Sequence, residues 1–486
     1  MQAFQFKLRI KKGLVNMTVD PSSLDPKQSR DRRQSQRTDI KSVPFLQLQS
    51  PKNPNQKMPS NTPTILLLGT CDTKLLELLY TKAQIESNNA TVLLMDIGRN
   101  QTTHEEIAIP QSALTNASPS STPIPDLATL PRAEYITTLT PYATKHVTHL
   151  HKSHQIHGIL AIGGSCGTAL AAAVMRDALP VGFPKLLVST MASGDVGPYI
   201  GETDISMMYS VVDIAGRNRV LEGVLDNAAG GIAGMASSFL KRERGEKEKK
   251  VDESSRVKIG ISMFGVTTPG VTRARERLEE VLPGCEVYVF HATGSGGRAL
   301  ERLVREEQID AVLDLTTTEI ADEVVGGVLS AGAGRLTAAT VRDIPRVVSV
   351  GACDMVNFGE VGSVPPAFRE AGRLFHEHNA TVTLMRTTKK ECADIGVFIA
   401  GNLLRDSRGK GELTRTKVVL PVGGVSMLDV SGQTFQDTEA DEALFLTLEK
   451  ELEDSGVLVV RDSRDINNPD FAVAVADELV KLIRGE

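Results

Sequence analysis

Residues 159–168 read ILAIGGSCGT and residues 184–195 read PKLLVSTMASGD; each is an apolar run that empties into small residues. The same device returns as 311–319 (AVLDLTTTE) and 345–354 (PRVVSVGACD). The later member of each set opens on Pro and a basic residue and closes on an aspartate. A buried strand that opens into a Gly/Ser/Thr loop and then a helix is how open parallel sheets build small-molecule sites. Two sets in the same order predict two related α/β units facing a shared ligand.

The flanking sequence agrees. Residues 64–69 (TILLLG) form an apolar run of strand length, followed by a helical pattern through Leu75, Leu78, Leu79 and Ala83. A second strand is expected at 91–96 (TVLLMD). Residues 97–131 are polar and rich in Pro, Ser and Thr, a surface excursion long enough to carry a lid. Residues 132–151 read as a helix, and 218–240 as a buried helix or helix pair. The sharpest break is 241–256 (KRERGEKEKKVDESSR), after which the pattern restarts with strands at 257–264, 286–291, 311–315 and 346–350. Further strands are expected at 382–385, 417–421 and 456–460, and a closing helix at 468–483. Strands alternating with helices of about 10–15 residues imply parallel sheets. The expected fold is therefore α/β, with two tandem doubly wound Rossmann-like domains. The expected divisions are a disordered basic extension (1–61), a domain with the glycine-rich loop (62–242), a charged linker (243–256) and a second domain (257–486).

Composition narrows the function classes. The formal charge of −6 over 486 residues gives no reason to expect general nucleic-acid binding. No apolar run approaches the ~18–20 residues of a membrane span. Five cysteines, at 71, 166, 285, 353 and 392, form no CxxC pair, so a reducing, cytoplasmic setting is expected. Residues 1–60 hold 12 Lys or Arg against 4 Asp, a surplus of 8 positive charges that leaves 14 negative on the rest. Phe4, Phe6, Leu8 and Ile10 alternate with period two, which argues against a mitochondrial presequence. Met58 just precedes the first apolar strand, so the tail reads as an upstream extension without a catalytic part.

Chemistry is sought where strands end. In 163–168 (GGSCGT), Gly163, Gly164 and Gly167 let the backbone approach a ligand, the helix that follows adds about half a positive charge, and Ser165 and Thr168 bring hydroxyls. The spacing is neither Walker A nor GxGxxG, and a turn needed only for close helix–sheet packing is the competing reading. In 69–74 (GTCDTK), behind Gly69 and Thr70, Asp72 is placed to meet a ribose or a metal and Lys74 a phosphate; Asp72 or Thr73 as a helix cap is the plainer alternative. Ser193 and Gly194 occupy the matching place after the fourth strand. In the second unit His291, Asp314, Glu319 and Asp354 fall at strand ends, a set suited either to acid–base work or to recognition of an oxyanion. His376 and His378 would share a face only on a strand, and a polar helix end is the expectation, with no metal site. Histidines 146, 149, 151, 154 and 157 read as a surface cluster. Cys166, at a helix start, has no histidine beside it in sequence and is expected to be a small loop residue rather than a nucleophile.

Ten stretches in order then carry a resemblance: GTCDTK, ILAIGGSCGT, LVSTMASGD with PYIG, SVVDIAGRN, SMFGVTTPGV, FHATGSGGRA, LDLTTTEIADEVVGG, SVGACDMVNFG, HEHNATVTLMRTT and PVGGVSMLD. From about residue 64 onward the chain resembles the largely uncharacterised family of the tomato tobamovirus-resistance protein, an inhibitor of viral RNA replication, in its ATP-binding N-terminal part. The resemblance implies two Rossmann-like subdomains, ATP as ligand, with Mg where the phosphates need it, and a homodimer. It also implies that a TIM-barrel half, absent from this chain, would have to come from a separate partner protein. The family's loop usually reads GGSGGT, and Cys166 here replaces a glycine, which crowds a phosphate. Viral inhibition belongs to one plant lineage and is not carried over. Two functions are expected on this basis: a soluble nucleotide-binding protein, or an enzyme acting on a small phosphorylated or carboxylated metabolite with or without ATP.

Overall fold

The computed structural model describes residues 8–10, 13–15, 62–116, 125–249, 256–405 and 413–486. Met1–Met58 and Pro59–Glu486 are separate compact units. In the first, Leu8–Ile10 (β1) pairs antiparallel with Gly13–Val15 (β2); the expected disorder of the extension otherwise concerns residues outside those described.

The second unit begins with a six-stranded parallel sheet: Thr64–Gly69 (β3), Thr91–Asp96 (β4), Ile107–Ile109 (β5), Gly158–Gly163 (β6), Lys185–Ser189 (β7) and Ser206–Tyr209 (β8). Its order is β5-β4-β3-β6-β7-β8, or 3-2-1-4-5-6 counted from its own first strand, the doubly wound Rossmann order. The alternation inside TILLLG explains why both faces are covered. Leu66 and Leu68 pack with Leu139, Val147 and Leu170 of the helices Arg132–Lys152 and Ser165–Ala178. Ile65 and Leu67 pack on the other face with Leu78, Leu225 and Ile232 of the helices Cys71–Ser87 and Arg219–Lys249. Each such aliphatic side chain contributes roughly 1.5–3 kcal/mol on burial. The last helix is longer than its apolar pattern: residues 243–249, read as linker from their charge, continue it as Lys- and Glu-rich helix.

A second parallel sheet holds Lys258–Met263 (β9), Glu286–His291 (β10), Ala311–Thr316 (β11), Arg346–Gly351 (β12), Thr416–Pro421 (β16) and Leu458–Asp462 (β17). Its order, β10-β9-β11-β12-β16-β17, is 2-1-3-4-5-6 in its own count, as in flavodoxin-like sheets. Between β12 and β16 the chain builds a small antiparallel sheet from Met355–Phe358 (β13), Phe375–Asn379 (β14) and Val382–Arg386 (β15), with β15 in the middle. Sequence alternation alone had not separated these strands from the parallel ones, and it had placed His376 and His378 on a helix end or loop. Two expectations of fold hold without change: the α/β class and the two doubly wound, mainly parallel sheets.

The basic residue that opens each copy of the repeated device turns inward. Lys185 is fully buried, and its ammonium donates to the carbonyls of Pro180 (2.7 Å) and Phe183 (2.9 Å) and to Asp204 (2.6 Å). Arg346, 1% exposed, donates to the carbonyls of Leu336 (2.7 Å) and Leu403 (3.2 Å) and to Thr340 and Thr416. Both cations satisfy carbonyls of the segments around the strand's start, far along the strand from its C-terminal loop, so this part of the repeat is structural.

Candidate functional site

In a doubly wound sheet the crevice opens where the strand order reverses, here between β3 and β6. The loops after those strands meet there. Thr70, Asp72, Thr73 and Lys74 from one, and Gly164, Ser165, Cys166 and Gly167 from the other, line a cavity of about 590 Å³. That volume lies within the ~300–1,000 Å³ of small-molecule sites. Residues not singled out in the sequence complete the lining: Arg99, Asn100, Arg132, Tyr135, Thr190, Met191 and Asp213.

Electrostatically the cavity is mixed, with Lys74, Arg99 and Arg132 set beside Asp72 and Asp213. The helix Ser165–Ala178 starts behind Gly164 with no side chain capping it, so its amide groups face the crevice without a side-chain acceptor. Arg99 donates through Nε to the carbonyl of Leu127 at 3.4 Å and has no ion pair among the described residues. Arg132 is exposed and likewise has no acidic partner among the described residues. Both sit at the ends of the polar excursion 97–131, which fold back to the crevice. Lys74 is less free: its ammonium donates to the carbonyl of Ile214.

The acidic groups sort into two kinds. Asp72 accepts from the backbone and side-chain nitrogens of Asn100 (3.0 and 3.1 Å) through Oδ2, while its Oδ1 is buried without a partner among the described residues. Asp96 ends β4, where dinucleotide-binding folds place the acid that reads a ribose. Here it is fully buried and accepts from the amides of Cys71 (3.0 Å) and Gly98 (2.8 Å), so it braces the loop instead. Burial, and secondarily the charge of Asp72, push its carboxyl above the ordinary range. Burial also raises the Tyr135 hydroxyl and the Cys71 thiol, which leaves both as proton-bearing groups.

The remaining residues expected in this site lie just behind it. Gly69 and Gly163 are buried strand ends, and a Cβ on Gly163 would stand 2.8 Å from the amide nitrogen of Thr168, so this glycine permits the helix to begin against the strand. Thr168 is buried and bonded to Ser189 at 2.6 Å. Ser193 closes the turn Thr190–Ser193 and Gly194 follows it, while Thr190 and Met191 of that turn reach the cavity in their stead.

The second sheet treats its polar strand ends differently. Arg335, 1% exposed, donates to Asp314, to Glu319 (2.9 Å) and to Glu301 (3.2 Å), all buried. Glu319 also accepts the amides of Gly294 (2.7 Å) and Gly297 (2.9 Å), filling the start of the helix Ser295–Arg305 with the protein's own carboxylate. A Cβ on Gly297 would fall 2.0 Å from Glu319 Oε2, so the loop's glycine serves this internal contact. Asp354, 1% exposed, accepts from Ser426 (2.8 Å) and leaves Oδ1 without a partner. It belongs to a buried group with Arg386, Asp429 and Asp441. His291 lies exposed, stacked on Phe264 at 5.6 Å. Asp314 and Glu319 thus share one buried cation, Asp354 lies beside another, and His291 stands apart at the surface. His376 and His378 are on β14, and no group of three or more His, Cys, Asp or Glu among the described residues is arranged to hold a metal.

Fold and crevice together define a protein of two Rossmann-type parallel sheets with a crevice at the switch point of the first. The family model described as uncharacterised protein family (UPF0261) N-terminal domain matches residues 63–241, and the C-terminal domain of the same family matches 256–483; the chain belongs to this family. A UPF0261 protein of Clostridium tetani is 43% identical over 86% of this chain and 98% of its own length. The ToMV resistance protein Tm-1(GCR237) of Solanum lycopersicum is 37% identical over 87% of this chain, which spans 56% of that longer protein. Among solved structures, MurG of Acinetobacter baumannii aligns over 87% of this chain and 100% of its own with a TM-score of 0.19 and 10% identity, a likeness that carries no inference. No described helix is long and apolar enough to cross a membrane.

Proposed function

We propose that the crevice between β3 and β6 binds a nucleotide, ATP being the ligand of choice, and that the protein acts as a nucleotide-binding module. One observation carries the reading: an uncapped helix start at Gly164–Gly167 and two guanidinium groups without acidic partners among the described residues, Arg99 and Arg132, line the same 590 Å³ cavity. Phosphates would lie on the amides of that helix and on the arginines; Thr70, Thr73 and Asp72 are the groups for sugar hydroxyls. Magnesium usually takes one or two carboxylates and completes its shell from phosphates and water, and Asp72 and Asp213 are the carboxylates at hand. Among the described residues no histidine lines the cavity, which favours binding over proton transfer.

Calorimetry with ATP, with and without magnesium, tests this. Removing a charge-assisted contact costs about 1.5–3 kcal/mol, so R99Q and R132Q should each weaken binding by roughly tenfold or more. Absence of heat and of any thermal shift at millimolar ATP would sink the reading. A second reading, an enzyme or binder for a small phosphorylated metabolite, draws on the lining itself: Tyr135, the one aromatic residue there among the described residues, is 3% exposed and offers no open face on which a base would stack. Inorganic pyrophosphate or a sugar phosphate binding as tightly as ATP would favour it. The accompanying proposals of a homodimer and of a separate TIM-barrel partner are tested by light scattering of the purified chain, alone and mixed with a candidate barrel protein.

A further inference from the structure

The antiparallel insert β13-β15-β14 carries a second cavity, of about 440 Å³, remote in sequence from the crevice just described. Val361, Val364 and Phe375 form its apolar wall. Its polar wall is made by Arg369, His376, Glu377 and Thr383.

Thr383 is the informative residue. It lies on the middle strand opposite Glu377 and Phe358, is 1% exposed, and its hydroxyl has no hydrogen-bond partner among the described residues. Buried hydroxyls are nearly always bonded, so one left open on a cavity wall asks for a partner that the chain does not supply. Arg369 and Glu377 point the same way. They are opposite charges on one cavity, yet neither forms an ion pair with the other or with any described residue. The adjacent Arg373, by contrast, holds Glu391 at 2.6 and 2.8 Å and covers the ring of Phe368. His376, on the same wall, stands edge-on to the ring of Phe435 at 6.2 Å.

An unpaired guanidinium, an unpaired carboxylate and an apolar wall around one cavity match a small zwitterion with a hydrocarbon side chain. We propose that this cavity is a binding site for a free aliphatic α-amino acid. The guanidinium of Arg369 takes the carboxylate, Glu377 takes the ammonium, Thr383 bonds one of the two, and Val361, Val364 and Phe375 cover the side chain. The inference is independent of the nucleotide reading.

Calorimetry and thermal melts of the full chain with L-leucine test it, with 4-methylpentanoate (carboxylate only) and isoamylamine (ammonium only) as probes. L-leucine should bind, and each single-charge probe should bind at least about tenfold more weakly. R369Q and E377Q, both at exposed positions, should each weaken L-leucine by about tenfold or more. T383V removes a buried hydroxyl that has no partner, so it should raise the melting temperature of the ligand-free protein while reducing its shift with L-leucine. No binding of L-leucine or L-valine at millimolar concentration overturns the proposal. So does binding by R369Q and E377Q that equals the wild type.

Discussion

Substituting the three loop glycines one at a time separates packing from binding at the crevice. A Cβ at Gly163 would lie 2.8 Å from the amide nitrogen of Thr168, 2.9 Å from the carbonyl carbon of Gly167 and 3.1 Å from its Cα. All three are backbone atoms, so no rotamer change relieves the contact. Ordinary contact begins near 3.4 Å, and the first turn of Ser165–Ala178 must therefore retreat by about 0.6 Å. Overpacking of this kind costs about 1–3 kcal/mol, or roughly 2–12 °C in melting temperature for a domain of this size. At Gly164 the nearest atom is Thr190 Oγ1 at 3.9 Å, and φ is −78°, so alanine fits and stability should stay within about 0.5 kcal/mol. The added methyl faces the cavity, however, and should lower ATP affinity. Gly167 has room as well, its nearest neighbour being Thr70 Cγ2 at 3.8 Å, and alanine inside a helix gains about 0.4–1 kcal/mol. Urea denaturation and calorimetry with ATP on G163A, G164A and G167A read both effects. The reasoning is refuted if G163A is as stable as the wild type, or if G164A loses as much stability as G163A.

Two further outcomes follow from the buried charges beyond residue 257, in and around the second parallel sheet and its antiparallel insert. R335M leaves Glu301, Asp314 and Glu319 without their cation and should cost about 3–5 kcal/mol in urea denaturation; a loss under about 1 kcal/mol would show that the ion pairs do not organise this core. Around Arg386, burial first and mutual repulsion second push Asp354 and Asp429 up to about 6, while burial holds Asp441 at about 7. Carboxyls raised in the folded state bind protons more tightly than in the unfolded chain, so their contribution is complete below about pH 4 and is lost as pH rises through 6 to 7. Stability measured across that window should fall with pH in the wild type and fall less steeply in D441N; an equal slope would contradict it.

The sequence carried the strands well because the buried ones are continuous apolar runs with flanking Gly and Pro. TILLLG and ILAIGG need no tertiary information to be read as strands. The edge strands Ile107–Ile109 and Ser206–Tyr209 escaped, being short and only partly buried. Of the crevice, the loops 69–74 and 163–168 were legible since glycine and hydroxyl residues at strand ends are local signals. Arg99 and Arg132 gave no such signal: isolated arginines at the two ends of a polar excursion resemble any solvated charge until the chain folds back.

The order of the strands was also beyond the sequence. Two similar patterns of alternating strand and helix became 3-2-1-4-5-6 in one sheet and 2-1-3-4-5-6 in the other, because the order depends on which face each crossover packs. Local composition decided that each half is a parallel α/β sheet with polar strand ends, since hydrophobic run length and turn residues act over a few positions. Only the tertiary structure decided what those polar ends do. Arg335, 16 residues from Glu319 and 21 from Asp314, closes the second set into a buried ion-pair group, while the first set keeps an uncapped helix start and two arginines with no acidic partner among the described residues. A charge declares its partner through space, at hydrogen-bond distance, and the one-dimensional sequence does not contain that distance.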